Sequence, residues 1–212
     1  MIIQDQLHFD VLPDIQMRLF ETLSSQSFMK DFYLAGGTCL ALQLGHRQSI
    51  DFDFFIPSDF DTAVIIGYLT QLGSYQRENE EKNTINGSLN SVRISFFGYK
   101  YEIINGFKNF YNIRLAGMKD IAAMKLEAIA GRGSKKDFID LYYLLQVYTL
   151  EEIFTFHEMK YGAGLSNQYH HLKSLVYFAD AEDEAMPVMM NSLQWNDVRN
   201  KITAIAKDFR LK

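Results

Sequence analysis

The sequence predicts an α+β half followed by an all-helical half, and two observations carry that reading. Up to about residue 115, short apolar runs rich in β-branched and aromatic residues alternate with turn signals. Beyond it, longer stretches repeat their apolar residues at helical spacing. Residues 1–115 are thus read as an α+β domain and 116–212 as a helical domain.

Taken in order, "PDIQMRLFETLSSQSFM" reads as a helix opened by Pro13, whose fixed φ suits a first turn. "FYLAGG" is a strand that ends in a glycine turn, "TCLALQLG" has the composition of a short helix, and "IDFDFF" is a second strand. "SDFDTAVIIGYLTQL" follows as a helix with Ser58 as its expected cap. "LGSYQRE" and "VRISFFG" are further strands, and the Asn86-Gly87 pair between them is the strongest short hairpin signal in the chain. In the second half, "MKDIAAMKLEAIAGR", "KKDFIDLYYLLQVYTLEEIFTFHEMKY" and "LQWNDVRNKITAIAKDFRLK" carry helical periodicity. The sequence has no internal repeat and no low-complexity segment.

Composition narrows the function classes. With 212 residues, 48% of them hydrophobic and 14% aromatic, the chain can bury a substantial core. It has no apolar run near the roughly 20 residues of a membrane span, and "MIIQDQLHFD" lacks the features of a signal peptide, so a cytoplasmic protein is expected. Cys39, the single cysteine, has no partner for an internal disulfide, and the five histidines show no zinc-ligand spacing, so any metal is expected on oxygen ligands. His170 and His171 are adjacent and therefore face apart, which makes them ordinary polar residues in this reading. The acidic run "DAEDE" at 180–184 reads as a solvated loop. A net charge of −5 argues against indiscriminate nucleic-acid binding, while leaving room for a local basic groove.

The stretch "LAGGTCLALQLGHRQSIDFDFF", residues 34–55, concentrates the chemistry. A strand, a turn of exposed N–H groups and a helix N-terminus suit a phosphate. Strand alternation projects Asp51 and Asp53 to one side while Ile50, Phe52 and Phe54 enter the core. Two carboxylates on one face repel unless a cation lies between them, and Mg²⁺ or Mn²⁺ is the natural occupant. Taken singly, the glycine pair is an ordinary turn and the Asp-x-Asp a solvated strand face. Their conjunction is what points to a site.

Together with "KLEAIAGRGSKKDFIDLYYLL", residues 125–145, this stretch resembles the AbiEii/AbiGii toxin family of nucleotidyltransferases, in the DNA polymerase beta-like superfamily. The resemblance implies a minimal nucleotidyltransferase fold followed by a helical domain that completes the nucleotide site. It implies transfer of a nucleotide from an NTP to an acceptor, in a toxin or phage-defence role restrained by a cognate antitoxin. By that match Gly36, Gly37 and Thr38 hold the triphosphate, Asp51 and Asp53 bind the metal, and Lys125 reaches the triphosphate. Asp137 and Asp140 match the second motif's acids, and Arg132 returns to the helix face of Lys125 seven residues on. Arg47 and Ser49 also match the first motif, Arg47 with an alternative role in orienting Asp51 or Asp53.

Competing readings stay open for the second motif. Lys125 and Arg132 could form a solvated helix face, Asp137 could serve the helix dipole, and Asp140 could make a surface pair with Lys136. The superfamily also adds a third carboxylate on a neighbouring strand, where this chain has Ser95; Glu102 is the nearest acid. That departure sustains an alternative, a degenerate nucleotidyltransferase-fold protein that binds without turnover. The Tyr- and Met-rich second half sustains another, an interaction protein. The acceptor is unspecified: RNA such as tRNA, a protein, or a small molecule such as an aminoglycoside. An RNA acceptor would be held by Lys125, Arg132, Lys135 and Lys136.

Overall fold

The computed structural model describes residues 7–162 and 167–210, so the opening "MIIQDQ" and residues 163–166 fall outside it. The described residues form two compact units, one of residues up to 102 with 106–116, the other of 103–105 with 117 onward.

In the first unit, seven strands among the described residues form one mixed sheet. They are β1 (Tyr33–Ala35), β2 (Phe52–Ile56), β3 (Tyr75–Glu81), β4 (Thr84–Leu89), β5 (Val92–Gly98), β6 (Phe107–Phe110) and β7 (Ile113–Ala116). Their order is β3-β4-β5-β2-β1-β7-β6. β2 runs parallel to β5 and β1 parallel to β7, while the other neighbours are antiparallel. Three helices accompany the sheet: α1 (Asp14–Ser24), α2 (Gly36–Leu44) and α3 (Thr62–Leu72). Phe52 and Phe54 are fully buried. Their rings continue into an aromatic layer, with Phe20 of α1 stacked 5.7 Å from Phe52 and Phe96 of β5 stacked 5.1 Å from Phe54. The opposite face of the sheet carries Tyr33, Phe55 and Phe97, with Phe55 5.7 Å from Tyr33 and 5.3 Å from Phe97. Burial on both faces is why β2 reads as a nearly continuous apolar run broken only by Asp53.

Several local expectations are corrected here. Ile50 is 56% exposed, because β2 starts at Phe52 and the strand alternation does not reach back to it. The cap of α3 is Asp61, whose Oδ1 accepts the N–H groups of Ala63 at 2.9 Å and Val64 at 3.4 Å; Ser58 lies too far upstream. The Asn86-Gly87 pair is not a hairpin turn but the middle of β4, paired with Arg77 and Asn79 on one side and with Ile94 and Ser95 on the other. The turns fall either side of it. Leu89 pairs with Val92 across Asn90 and Ser91, both at positive φ (52° and 68°), which is the two-residue hairpin geometry that matches strand twist. Gly87 is required for a different reason: a Cβ there would meet the Gln76 carbonyl oxygen at 2.5 Å. The β6–β7 hairpin, turning at Tyr111 and Asn112, was not anticipated, and Tyr111 adopts φ 50°.

The second unit is helical: α4 (Met118–Gly131), α5 (Lys135–Leu144), α6 (Leu150–Tyr161), α7 (Gln168–Leu175), a single turn α8 (Ala179–Glu182) and α9 (Trp195–Asp208). The long periodic stretch after Lys135 breaks between α5 and α6, where Thr149 and Glu152 form a reciprocal capping box (Glu152 N–H to Thr149 Oγ1 3.2 Å, Thr149 N–H to Glu152 Oε2 2.8 Å). Phe138 of α5 packs on Phe178 with centroids 4.8 Å apart, and Phe178 meets Trp195 of α9 edge-on at 5.8 Å. The acidic run at 180–184 is more than a solvated loop. Glu184 Oε2 accepts the Lys135 N–H at 2.7 Å, and Glu182 holds Trp195 Nε1 at 3.1 Å and Arg199 at 2.8 Å, so the run ties α5 to α9.

Two glycines with opposite surroundings test this account. Gly87→Ala is expected to lower the unfolding free energy by about 1–3 kcal/mol, since the new methyl meets backbone that cannot swing away. Gly67→Ala, in the middle of α3 with nothing within 4 Å of a new Cβ, is expected to raise it by roughly 0.5–1 kcal/mol. Urea denaturation of the two variants beside the parent checks both signs.

Candidate functional site

The first unit brings the glycine turn and one acid together through strand register. β1 pairs antiparallel with β2 so that Ala35 lies opposite Asp53. The chain leaves β1 at Ala35, turns at Gly36 with φ 69°, and enters α2 immediately, so Gly36, Gly37 and Thr38 are its first three residues. The helix thus starts earlier than its composition implied. The first N–H groups of a helix have no acceptor within it, and they carry its positive dipole end. A Cβ on Gly36 would lie 3.1 Å from Asp53 Oδ2, so turn and carboxylate adjoin closely.

Asp51 is held to the same turn. Thr38 Oγ1 donates to the Asp51 carbonyl oxygen and shares a 2.7 Å hydrogen bond with Ser49 Oγ. Thr38 and Ser49 are both buried, so these hydroxyls fix the loop entering β2 onto the start of α2. Asp51 precedes the strand and Asp53 lies within it, and both are partly exposed. Arg47 is buried, and its Nη1 donates to the Gln48 carbonyl at 3.0 Å. The Asp53 carboxylate beside the turn, with Asp51 two residues before it, offers oxygen donors of the kind that suit a hard divalent ion.

The neighbours of Asp53 across the sheet can be read from the pairing. Ala35 of β1, Ser95 of β5, Asn86 of β4 and Asn79 of β3 lie in one row with it, and paired residues share a face. Ser95 therefore stands directly beside Asp53, the position where the superfamily pattern has an acid. Glu102 lies beyond the end of β5 and is exposed.

The second motif builds a network within the helical unit. Lys125 of α4 is 4% exposed, and its Nζ contacts Asp137 Oδ1 at 2.8 Å and Asp140 Oδ2 at 2.6 Å, two acids of α5 that are fully buried. Arg132, just past the end of α4, forks onto Asp137 with Nε at 2.8 Å and Nη2 at 3.2 Å. Ser134 Oγ adds a 2.7 Å bond to the same carboxylate. Burial raises the Asp137 pKa, but the Lys125 charge and the hydrogen bonds from Arg132 and Lys125 outweigh it and hold the carboxyl well below the usual range. Burial sets aside the solvated-face alternative for Lys125 and the surface-pair alternative for Asp140, while the Arg132 side chain stays 64% exposed.

The expected basic groove is corrected as well. Lys125 is engaged with acids, and Lys135, 5% exposed, gives its Nζ to the carbonyls of Glu182 and Glu184 under the Trp195 ring. Two of the four cations assigned to an RNA backbone are thus buried among acceptors.

Two clusters escaped the sequence reading. Fully buried Asp120 of α4 accepts Lys160 of α6 at 2.9 Å and the N–H groups of Ile104 and Asn105 at 2.9 and 3.2 Å. Glu127, His157 and His171 converge from α4, α6 and α7. His171 and His170 do face apart, as adjacency requires, and His171 is the buried one. Its partner is fourteen residues away across an inter-helix segment, so no local spacing signals the cluster.

The sheet, its flanking helices and the helical second unit together define a nucleotidyltransferase-type fold. Over 90% of this chain, the fold is shared with JHP933 from Helicobacter pylori, 14% identical with a TM-score of 0.56 and 88% of that chain covered. A putative nucleotidyltransferase from the same organism, at 13% identity and TM-score 0.56, is matched over 90% of this chain and 91% of its own. MenT4, a nucleotidyltransferase toxin from Mycobacterium tuberculosis, aligns over 91% of this chain and 83% of its own, 14% identical with a TM-score of 0.56. An uncharacterized protein from Aquifex aeolicus is 39% identical over 175 residues, spanning 80% of this chain and 84% of its own length. Residues 18–115 match the family model of the AbiEii nucleotidyl transferase toxin of type IV toxin–antitoxin systems. The chain belongs to the AbiEii family. Among the described residues, no helix is long and apolar enough to cross a membrane.

The buried ion network yields a stability prediction. Asp137→Asn leaves Lys125 with less compensating charge in a buried position, so it is expected to cost about 3–5 kcal/mol at neutral pH. Because the folded carboxyl titrates below its unfolded value of about 3.9, its contribution is present above that value and is lost as pH falls toward the folded one. Denaturation of parent and variant across acidic pH should show a constant gap above roughly pH 5 that narrows below roughly pH 4.

Proposed function

We propose that this protein transfers a nucleotide from an NTP to an acceptor hydroxyl in an Mg²⁺- or Mn²⁺-dependent reaction, as the toxin of a pair with an antitoxin partner. The observation that carries the proposal is the placement of Gly36 against Asp53, with only a missing Cβ between turn and carboxylate. Family membership supplies the reaction class.

Each residue has a definable task in that reaction. Asp51 and Asp53 would hold the divalent ion, which when bound neutralises charge building on the attacking and leaving oxygens of an in-line displacement. The N–H groups of Gly36, Gly37 and Thr38, at the positive end of α2, bind the triphosphate oxygens and steady the departing pyrophosphate. Thr38 and Ser49 keep the Asp51 segment seated on that turn through their paired hydroxyls. The family resemblance gives Lys125, with Arg132, Asp137 and Asp140 as its companions, a role toward the triphosphate. In the helical unit, Asp137 and Asp140 fix the position of the Lys125 Nζ. Most of the rate enhancement is then positioning and electrostatics.

A second reading draws on the row Ala35, Ser95, Asn86 and Asn79 beside Asp53, which has no further carboxylate to deprotonate an attacking hydroxyl. It describes a protein that binds NTP without transferring it. One assay separates the two. Purified protein is incubated with each α-³²P-labelled NTP, Mg²⁺ or Mn²⁺, and total RNA, lysate protein or small-molecule extract. Transfer predicts a discrete labelled acceptor that disappears in Asp51→Asn and in Asp53→Asn, both at partly exposed positions, with circular dichroism reporting that each variant folds. NTP binding without any labelled acceptor favours the binder, and labelling that persists in the double variant refutes the metal assignment.

A subtler variant tests the turn itself. Gly36→Ala places a methyl against Asp53 Oδ2 on a backbone at positive φ, and displacement of reacting groups by about 1 Å can cost on the order of 100-fold in rate. A large loss of transfer with little change in circular dichroism is expected, and near-parental activity would remove the turn from the site.

A further inference from the structure

Three helices of the second unit deliver nitrogen and oxygen donors to one point. Glu127 of α4 is half-exposed, while His157 of α6 and His171 of α7 are buried, and their ligand atoms all lie within 4.8 Å of one another. Both imidazoles aim Nε2 at the same oxygen, Glu127 Oε1, at 2.6 Å from His157 and 3.0 Å from His171. The rings lie 4.6 Å apart, centroid to centroid.

Proton accounting shows what this arrangement lacks. His171 Nδ1 lies 2.9 Å from the Asn167 carbonyl oxygen, which only accepts, so that nitrogen carries the ring proton. In a neutral His171, Nε2 therefore presents a lone pair to a carboxylate oxygen. His157 can donate from Nε2, since its buried Nδ1 meets no partner among the described residues and is poorly placed to hold the proton. Two imidazole nitrogens and a carboxylate oxygen thus converge on one point. A divalent cation can accept all three donors at once.

We propose that Glu127, His157 and His171 form a binding site for a borderline divalent metal ion such as Zn²⁺, fastening α4, α6 and α7 of the helical unit. Two imidazoles and a carboxylate are a zinc donor set, and three protein ligands leave a fourth position for water. The Nδ1–H of His171 on a backbone carbonyl is the outer contact that orients a metal-bound histidine. A tetrahedral ion bonded at roughly 2.0–2.1 Å holds its donors roughly 3.4 Å apart. The cluster must therefore open by some tenths of an ångström, which the side chain of Glu127, 47% exposed, can do by drawing back toward solvent. Coordination through Nε2 moves the His157 proton to Nδ1, a cost small beside the binding free energy of zinc to protein donor sets. The site is independent of nucleotidyl transfer, being built from side chains that the proposed reaction does not use.

Titration of the metal-stripped full chain with Co²⁺ tests it, because nitrogen-ligated four-coordinate cobalt absorbs intensely in the visible whereas cobalt on oxygen ligands in water absorbs weakly. One equivalent of Co²⁺ should give the intense band, Zn²⁺ should abolish it, and Zn²⁺ should raise the melting temperature reversibly with chelator. The band should persist in the Asp51→Asn/Asp53→Asn variant, which excludes the carboxylates of the first unit. Glu127→Gln, at a half-exposed position that tolerates change, should weaken cobalt binding by at least about tenfold. His171→Gln should remove the band, with circular dichroism reporting that the chain still folds. Absence of the band and of a Zn²⁺-dependent melting shift in the parent would overturn the proposal and leave a proton as the shared charge. A band unchanged in Glu127→Gln and in folded His171→Gln would place the metal elsewhere and overturn it equally.

Discussion

The pairing of Ala35 with Asp53 is the constraint on which the candidate site depends. It forces the chain to leave β1 at the point where an acid projects from β2. The residue that makes the turn must then have no side chain and a positive φ, and Gly36 meets both demands. A slip of one residue would bring Phe52 or Phe54 beside the turn and send Asp53 into the layer of Phe20, Phe32 and Phe96. That layer is closely packed and apolar, so the register is protected by the cost of burying an unpaired carboxylate in it. The aromatic core thus stabilises the sheet and also keeps the acid pointed at the turn.

Charge plays the corresponding role in the helical unit. Lys125 with Asp137 and Asp140, and Lys160 with Asp120, are buried ion pairs spanning different helices. Buried pairs add little net stability compared with apolar packing, but they penalise any arrangement that separates them. Arg132 and Ser134 satisfy the remaining Asp137 lone pairs, and two backbone N–H groups do so for Asp120. These pairs therefore select one arrangement of α4, α5 and α6 from among those that hydrophobic periodicity alone would allow.

What was legible in the sequence follows from the range of the forces involved. Periodicity is local, so β1, β2, β5, α4 and α9 could be read directly, as could the adjacency of the glycine turn to Asp53 of β2. The Asn86-Gly87 signal misled because Gly87 answers to a contact with Gln76 on another strand, which no local rule contains. Ser58 lost the cap to Asp61 because capping depends on where the helix begins, and helix boundaries are weakly encoded. Lys125 and Lys135 looked like surface cations since nothing in their spacing reveals that Asp140 or the carbonyls of Glu182 and Glu184 come round to meet them. His157 and His171 are the extreme case, brought together only by the packing of α4 against both α6 and α7.

The two candidate metal sites differ in the one property that would let a single chain use both. Asp51 and Asp53 offer hard oxygen donors beside a phosphate-suited turn, a combination that favours a weakly held Mg²⁺ brought in with its nucleotide. Glu127, His157 and His171 offer two nitrogens and one oxygen, for which Zn²⁺ outcompetes Mg²⁺ by ligand softness and geometry. Zinc in the proposed helical site would therefore not be displaced by magnesium, and magnesium would not be excluded from the acids by zinc held elsewhere. Under the two proposals, losing each ion would have different consequences: removal from Asp51 and Asp53 would stop chemistry in a folded protein, whereas removal from the histidines would loosen three helices. Donor chemistry, more than position in the sequence, divides the labour between the two units.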